Sequence, residues 1–334
     1  MYKINQLRSV HLEITSKCQA KCPMCGRYEP NGLLSPLVNL TEITLNQFET
    51  WFSVEFVKQL NHLKMCGNLG DAIVAKDTME IFKYLRSHNN NMTLELYTNG
   101  SARTPEWFVE LANLRVDVVF AIDGLEDTHH LYRINTEWNK IINNAKEFIK
   151  AGGRARWDML VFQHNEHQAD TCRELSKQMG FAEFFTKNTN RFTIDKLPVT
   201  TSTSSTTSTT SKTVHIIQPT IKSTNMISKV IKAEEQQLPV INCKAKNDNQ
   251  VYIGADGTVT PCCWLDMTYI RAHHNKTQYL DTIKYWPNLN NQTLEEIFNS
   301  GYFDQVEAAW STTGIKECAK QCGKFDKVME QFSS

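Results

Sequence analysis

The sequence predicts an α/β chain: an open, partial (β/α)6 barrel of the TIM type, followed by a small C-terminal domain. Three observations carry this. Strand-like and helix-like segments alternate six times between Val10 and Phe185, which argues a parallel sheet with crossover helices. Six units are too few to close an eight-fold barrel. An unbroken Ser/Thr run at 200–211 then separates this region from the C-terminal third of the chain, and the cysteines gather in one group on each side of it.

Each unit has its own signal. The apolar run Val10-His-Leu-Glu-Ile14 reads as the first strand and leads into Cys18-Gln-Ala-Lys-Cys22-Pro-Met-Cys25. Pro30 to Pro36 is irregular. A helix starts at Thr44, where Thr44 and Gln47 make a capping box and Phe48, Trp51, Phe52, Phe56 and Leu60 form an apolar face. His62 to Cys66 is the second strand, and Gly67-Asn68-Leu69-Gly70-Asp71 is the turn after it. Asp77 with Glu80 caps a helix whose face carries Met79, Phe82 and Leu85. Thr93 to Tyr97 is the third strand, ending in Thr98-Asn99-Gly100. Thr104-Pro105 opens the next helix, with Pro at the first helical position.

Asp117 to Ile122 is the fourth strand, ending at Asp123-Gly124. The helix carrying Ile141, Ala145 and Phe148 stops at Gly152-Gly153. Trp157 to Phe162 is the fifth strand. A helix from about Glu166 stops at Gly180, and Phe181 to Phe185 is the sixth strand. The domain boundaries expected are therefore a barrel at 1–190, a linker at 191–238 and a C-terminal domain at 239–330. The Ser/Thr segment has no apolar face and reads as a mobile insertion or linker.

Composition excludes several function classes. The 334 residues suffice for a sizeable core, and Lys+Arg and Asp+Glu are both 36, so formal net charge is zero. Neither a nucleic acid nor a membrane is expected as a partner. The N-terminus lacks an apolar signal core, and no run approaches the ~20 apolar residues of a membrane span. A cytoplasmic location is expected, where clustered thiols stay reduced and point to metal rather than to disulfides.

The three thiols Cys18, Cys22 and Cys25 are spaced C-x3-C-x2-C. A four-iron cluster takes one outside ligand per iron, so three thiolates leave one iron open. A zinc site would want a fourth ligand that the loop does not supply. This spacing, directly after a first strand, resembles the radical S-adenosylmethionine (SAM) superfamily, although Met24 stands where members often have an aromatic residue. The resemblance implies a [4Fe–4S] cluster on the triad, with SAM completing the open iron. It implies reductive cleavage of SAM to a 5′-deoxyadenosyl radical, hydrogen abstraction from substrate, and a flavodoxin- or ferredoxin-type electron donor. It also implies the partial barrel already inferred.

The family's Gly-Gly-Glu-Pro element is missing. Its place is taken by the segment with Gly67, Asn68, Gly70 and Asp71, where Asp71 could accept from the SAM ammonium. Thr98 and Asn99 match a family element near the methionyl carboxylate and ribose. Asp123 stands where many members have Ser-x-Asp, and Arg156 or Gln163 could reach the carboxylate or the adenine. Asp123 and Arg133 are also placed to position or deprotonate substrate, and no catalytic residue is assigned. Cys66 and Cys172 fit the role of small buried hydrophobes. His164 and His167 fit capping or surface roles.

Five thiols follow residue 240: Cys243, the pair Cys262-Cys263, Cys318 and Cys322. A fully ligated [4Fe–4S] cluster takes about four Cys, so there is room for one further cluster, not two. Asp256-Gly257 between apolar segments signals a hairpin that would bring Cys243 and Cys262 together. This layout resembles the Twitch domain, the one-cluster relative of the SPASM auxiliary-cluster domain. The resemblance favours Cys262 over Cys263 beside Cys243, Cys318 and Cys322. A four-Cys zinc site would show much the same spacing. With four ligands closed, the auxiliary cluster suits electron transfer and a net oxidation. The barrel starts about ten residues from Met1, which leans toward a small-molecule substrate or a peptide delivered by another protein. The alternatives are a peptide or protein maturase of the SPASM type and a non-catalytic iron–sulfur or zinc protein.

Overall fold

The computed structural model describes residues 1–29, 31–189, 196–205, 208–220, 239–266, 286–312 and 314–324. Six strands lie side by side in chain order and all parallel: β1 (Ser9–Leu12), β2 (His62–Met65), β3 (Thr93–Thr98), β4 (Val116–Ala121), β5 (Ala155–Leu160) and β6 (Glu183–Lys187). Parallel neighbours need crossovers, and these are α1 (Leu45–Trp51), α2 (Val54–Gln59), α3 (Thr78–His88), α4 (Pro105–Asn113), α5 (Glu126–Tyr132), α6 (Trp138–Lys150) and α7 (Ala169–Met179). The helices lay Phe48, Phe82, Phe108 and Phe148 against the sheet, all fully buried together with Phe120 and Trp157 of the strands. Burial of each such ring is worth about 1.5–3 kcal/mol.

The local signals mostly act as read. Thr44 accepts from the Gln47 amide at 3.2 Å, and Gln47 Oε1 accepts from the Thr44 amide at 3.0 Å. Gly180 ends α7 with φ 86°, a left-handed conformation glycine adopts without strain. Asp77 differs. It precedes α3 but makes no cap bond there; its carboxylate accepts from the Leu45 amide at 3.0 Å and ties α3 to α1. The sixth strand begins at Glu183 rather than Phe181, whose ring is buried before the strand starts. The short helix α5 has no counterpart among the expected elements.

Within the span expected as a linker, the Ser/Thr segment is paired backbone, and residues 191–195, 206–207 and 221–238 lie outside the described residues. Lys196–Ser205 (β7) and Ser208–Ile217 (β8) pair antiparallel as a two-stranded hairpin. β-branched Thr favours extended backbone, and the two strands satisfy each other's amides without needing an apolar core. Near the hairpin's base Ile216 is buried with Tyr132 and Phe162, in a small cluster that also takes in Cys22 and Met24.

The C-terminal region joins the barrel's sheet. β9 (Val240–Ile241) precedes β10 (Gln250–Ile253), which pairs parallel with β1 on the side away from β2; β11 (Val259–Thr260) pairs antiparallel with β10. The sheet thus has eight strands, and β1 is interior to it. The expected hairpin at Asp256-Gly257 is present, with Gly257 at φ 84°. Helices Leu294–Asn299, Tyr302–Ala308 and Lys316–Cys322 come next, and β12 (Gly323–Lys324) returns to pair with β9. The part of the C-terminal domain expected at 325–330 lies outside the described residues. No described helix is long and apolar enough to cross a membrane.

Candidate functional site: two cysteine-lined cavities

The first cavity, about 420 Å³, opens at the C-terminal ends of the parallel strands. Cys18, Cys22 and Cys25 line it from the loop after β1. That loop is held by its own backbone. The Cys25 amide donates to the Cys22 carbonyl at 3.2 Å, and Met24 between them has φ 61°. Arg27 donates to the Cys18 carbonyl at 3.0 Å and Tyr28 to the Ala20 carbonyl at 3.2 Å. Asn99 Nδ2 lies 3.8 Å from Cys18 Sγ, and Arg133 Nη1 lies 4.0 Å from Cys22 Sγ.

Of the residues expected to touch a cofactor, Gly67, Asn68, Gly70, Asp71, Thr98 and Asn99 line this cavity, while Asp123 and Arg156 are not on its walls. Asp71 is buried and links the loop after β2 to the end of β3. It accepts from Thr98 Oγ1 at 3.1 Å, from the Asn99 amide at 2.7 Å and from the Ile73 amide at 3.2 Å. Burial raises its carboxyl pKa, and those donors oppose the rise. Asn68 turns its side-chain amide to the Cys263 carbonyl at 2.9 Å.

Asp123 is fully buried and acts on the cavity through Arg133. Its carboxylate accepts from Arg133 Nε at 2.5 Å and from the Leu160 amide at 2.7 Å. Arg133, ten residues on, is the group that faces the cavity. Arg156 stands behind Tyr97, donating to its hydroxyl and to Asp158 at 3.0 Å each. Tyr97, Asp158 and Lys187 line the cavity at its β3–β6 side, with Asn188 and Thr189 just past β6. His164 stacks on Phe162 with ring centroids 5.3 Å apart.

One organising residue escapes the motif reading. Glu13 follows β1, is 2 % exposed, and receives the amides of Asn68 (2.9 Å), Leu69 (2.7 Å) and Gly70 (2.8 Å), with the Tyr252 hydroxyl at 2.5 Å. A carboxylate so placed fixes the loop from Asn68 to Gly70. Its signal in the sequence is a lone acid in the apolar run Val10–Ile14, where a buried charge requires dedicated donors. Gly70 has a second reason to be glycine. A Cβ there would lie 1.7 Å from the Thr15 carbonyl oxygen, so the close approach is to the root of the cysteine loop. Gly70→Ala is expected to destabilise the chain by about 3 kcal/mol or more; urea unfolding matching the parent would contradict this packing.

The second cavity, about 190 Å³, is lined by Cys243, Cys262, Cys263, Cys318 and Cys322. Three devices assemble it. The Asn242 amide donates to the Cys322 carbonyl at 3.0 Å beside the β9–β12 pair, bringing Cys243 to Cys322. The hairpin delivers Cys262 just past β11. The helix Lys316–Cys322 presents Cys318 and Cys322 one turn apart on one face. Cys262 interacts by charge with Cys243, Cys318 and Cys322, and Cys263 with Cys262, Cys66 and Glu13, while Lys64 acts on both. Trp264 lines both cavities and so stands between them.

The donor sets fit iron–sulfur clusters. Burial pushes the thiols of Cys18 up to about 12 and of Cys22 and Cys262 up to about 11, so a metal must displace protons to bind. The hydrogen bond between Cys243 and Cys322 holds the Cys322 thiol down and the Cys243 thiol up. Beside each group of thiols stands a buried nitrogen that makes no bond of regular geometry: Arg27 Nε in the first loop and Trp310 Nε1, close to Cys318, in the second cavity.

Residues 243–323 match the family described as SPASM, an iron–sulfur cluster-binding domain. The sequence matches no curated protein. In fold, the chain is similar to Streptococcus suis SuiB bound to S-adenosylmethionine, with TM-score 0.61 and 11 % identity over 90 % of this chain and 68 % of that one. It is similar to native anSMEcpe with bound AdoMet, with TM-score 0.53 and 14 % identity over 89 % and 82 % of the two chains. SuiB bound to the precursor peptide SuiA gives 0.60 and 13 % over 92 % and 67 %. At such identities the likeness establishes the fold.

Proposed function

We propose that this chain, which combines the radical SAM fold with a C-terminal SPASM iron–sulfur domain, is a radical SAM enzyme that oxidises its substrate with the help of one auxiliary [4Fe–4S] cluster. The observation that carries the reading is the first cavity. It places three thiols, a carboxylate-held glycine loop and Thr98–Asn99 around one space at the strand ends. When bound, the clusters and SAM supply one-electron cleavage of SAM, removal of hydrogen from substrate and an acceptor for the remaining electron.

The chain's own residues divide the remaining work. Cys18, Cys22 and Cys25 hold the first cluster, with one iron left for SAM. The loop from Gly67 to Asp71, fixed by Glu13, together with Thr98 and Asn99, holds the methionyl end and ribose. Arg133, oriented by Asp123, brings positive charge beside Cys22. Tyr97, Asp158 and Lys187 face the substrate. Cys243, Cys262, Cys318 and Cys322 close the second cluster. A flavodoxin- or ferredoxin-type protein supplies the electron.

A second reading, peptide modification, is favoured by one observation: SuiB, similar in fold, has been seen with a precursor peptide. Anaerobic reconstitution tests the main reading. About eight iron and eight sulfide per chain are expected for two clusters, and 5′-deoxyadenosine is expected on adding dithionite and SAM. About four iron with zinc bound, and no 5′-deoxyadenosine, would overturn it. Incubation with candidate peptides and small alcohols or amines, followed by mass spectrometry, separates the substrate readings: a loss of two hydrogens marks oxidation of either class.

A further inference from the structure

Resting on that reading, we infer that the indole N–H of Trp310 donates a hydrogen bond to a sulfur of the auxiliary cluster and raises its reduction potential. Trp310 follows the helix Tyr302–Ala308 and lines the second cavity with the four ligand cysteines. Its Nε1 is buried, makes no bond of regular geometry in the protein, and lies close to the Cys318 thiol. A buried N–H left unpaired is a standing cost, so it is retained where an acceptor arrives with a ligand. Cys318, one of the four ligand cysteines, stands within the indole's reach. The other side-chain nitrogens of this wall differ: His11 Nε2 is committed to the Cys66 carbonyl at 2.5 Å, and Lys64, Lys244, Gln250 and Gln321 sit on residues that are half-buried or exposed. The acceptor that fits Trp310 is therefore anionic sulfur, as thiolate or bridging sulfide.

Such a bond is charge-assisted, and it stabilises the more negative, reduced cluster. Trp310→Phe keeps the ring's bulk and removes only the donor. The test uses the full chain with Cys18, Cys22 and Cys25 replaced by Ala, so that only the auxiliary cluster gives a signal. About four iron should remain in this background; none remaining overturns the two-cluster reading itself. With iron retained, redox titration followed by electron paramagnetic resonance should show Trp310→Phe about tenfold harder to reduce at a fixed poise. For a one-electron couple that is a midpoint lower by about 59 mV. An unchanged midpoint with full iron overturns the inference alone. Should Trp310→Phe fail to hold the cluster, the Trp310-containing chain decides: with indole-15N tryptophan, pulsed resonance of the reduced cluster should show a 15N coupling, and its absence overturns the inference.

Discussion

Replacing Cys18 with alanine is expected to abolish 5′-deoxyadenosine formation and to lower the iron content from about eight to about four per chain. Three thiolates already leave one iron without a protein ligand, and two cannot hold the cube. No other thiol can step in. Cys66 lines the same cavity, yet burial pushes it up to about 12 and its strand end is fixed by the His11 bond to its carbonyl. The far cysteines are fastened into their own cavity by the β9–β12 pair. The auxiliary signal should therefore survive. Cys18→Ala protein that still forms 5′-deoxyadenosine at the parent rate, or that loses all its iron, would show that the two sites are not separate.

Glu13→Ala should be the most damaging change that touches no cofactor. It strips the acceptor from three buried or half-buried loop amides and leaves the buried Tyr252 hydroxyl with Asp266 alone, at 3.1 Å. The expected loss of stability is about 3–5 kcal/mol, read by guanidinium unfolding, with SAM binding weakened in whatever folds. Glu13→Gln keeps the volume and one acceptor oxygen, so it should fall between. Equal unfolding midpoints for Glu13→Ala and the parent would mean that water replaces the carboxylate and the loop does not depend on it.

The first group of cysteines is legible in the sequence because its chemistry is local: ligand spacing lies along the chain, as does the Thr44–Gln47 cap. What escapes a linear reading is set at a distance. Asp123 carries a family-like position but is consumed by Arg133 and the Leu160 amide, and Arg156 is consumed by Tyr97 and Asp158 across neighbouring strands. Neither partnership can be inferred from spacing. Glu13 leaves a trace, an acid in a run of apolar residues, but its donors come from 55 to 57 residues away along the chain, and 239 away for Tyr252. The Ser/Thr segment shows composition and propensity disagreeing. Low hydrophobicity argues against a core, and a hairpin that pairs with itself needs none.

The parallel pairing of β10 with β1 bears on how this protein could have been assembled from parts. All four residues of β1 are buried, and β10 takes the hydrogen bonds along one of its edges. A barrel cut free at about residue 239 would carry a bare inner strand, whose unpaired amides template aggregation. It would also lose Tyr252, one of the four donors to Glu13, next to the loop that would hold SAM. The C-terminal region is thus no detachable accessory. A truncated barrel would need a substitute strand before it could fold cleanly, and a lineage that lost the second cluster would be expected to keep the hairpin.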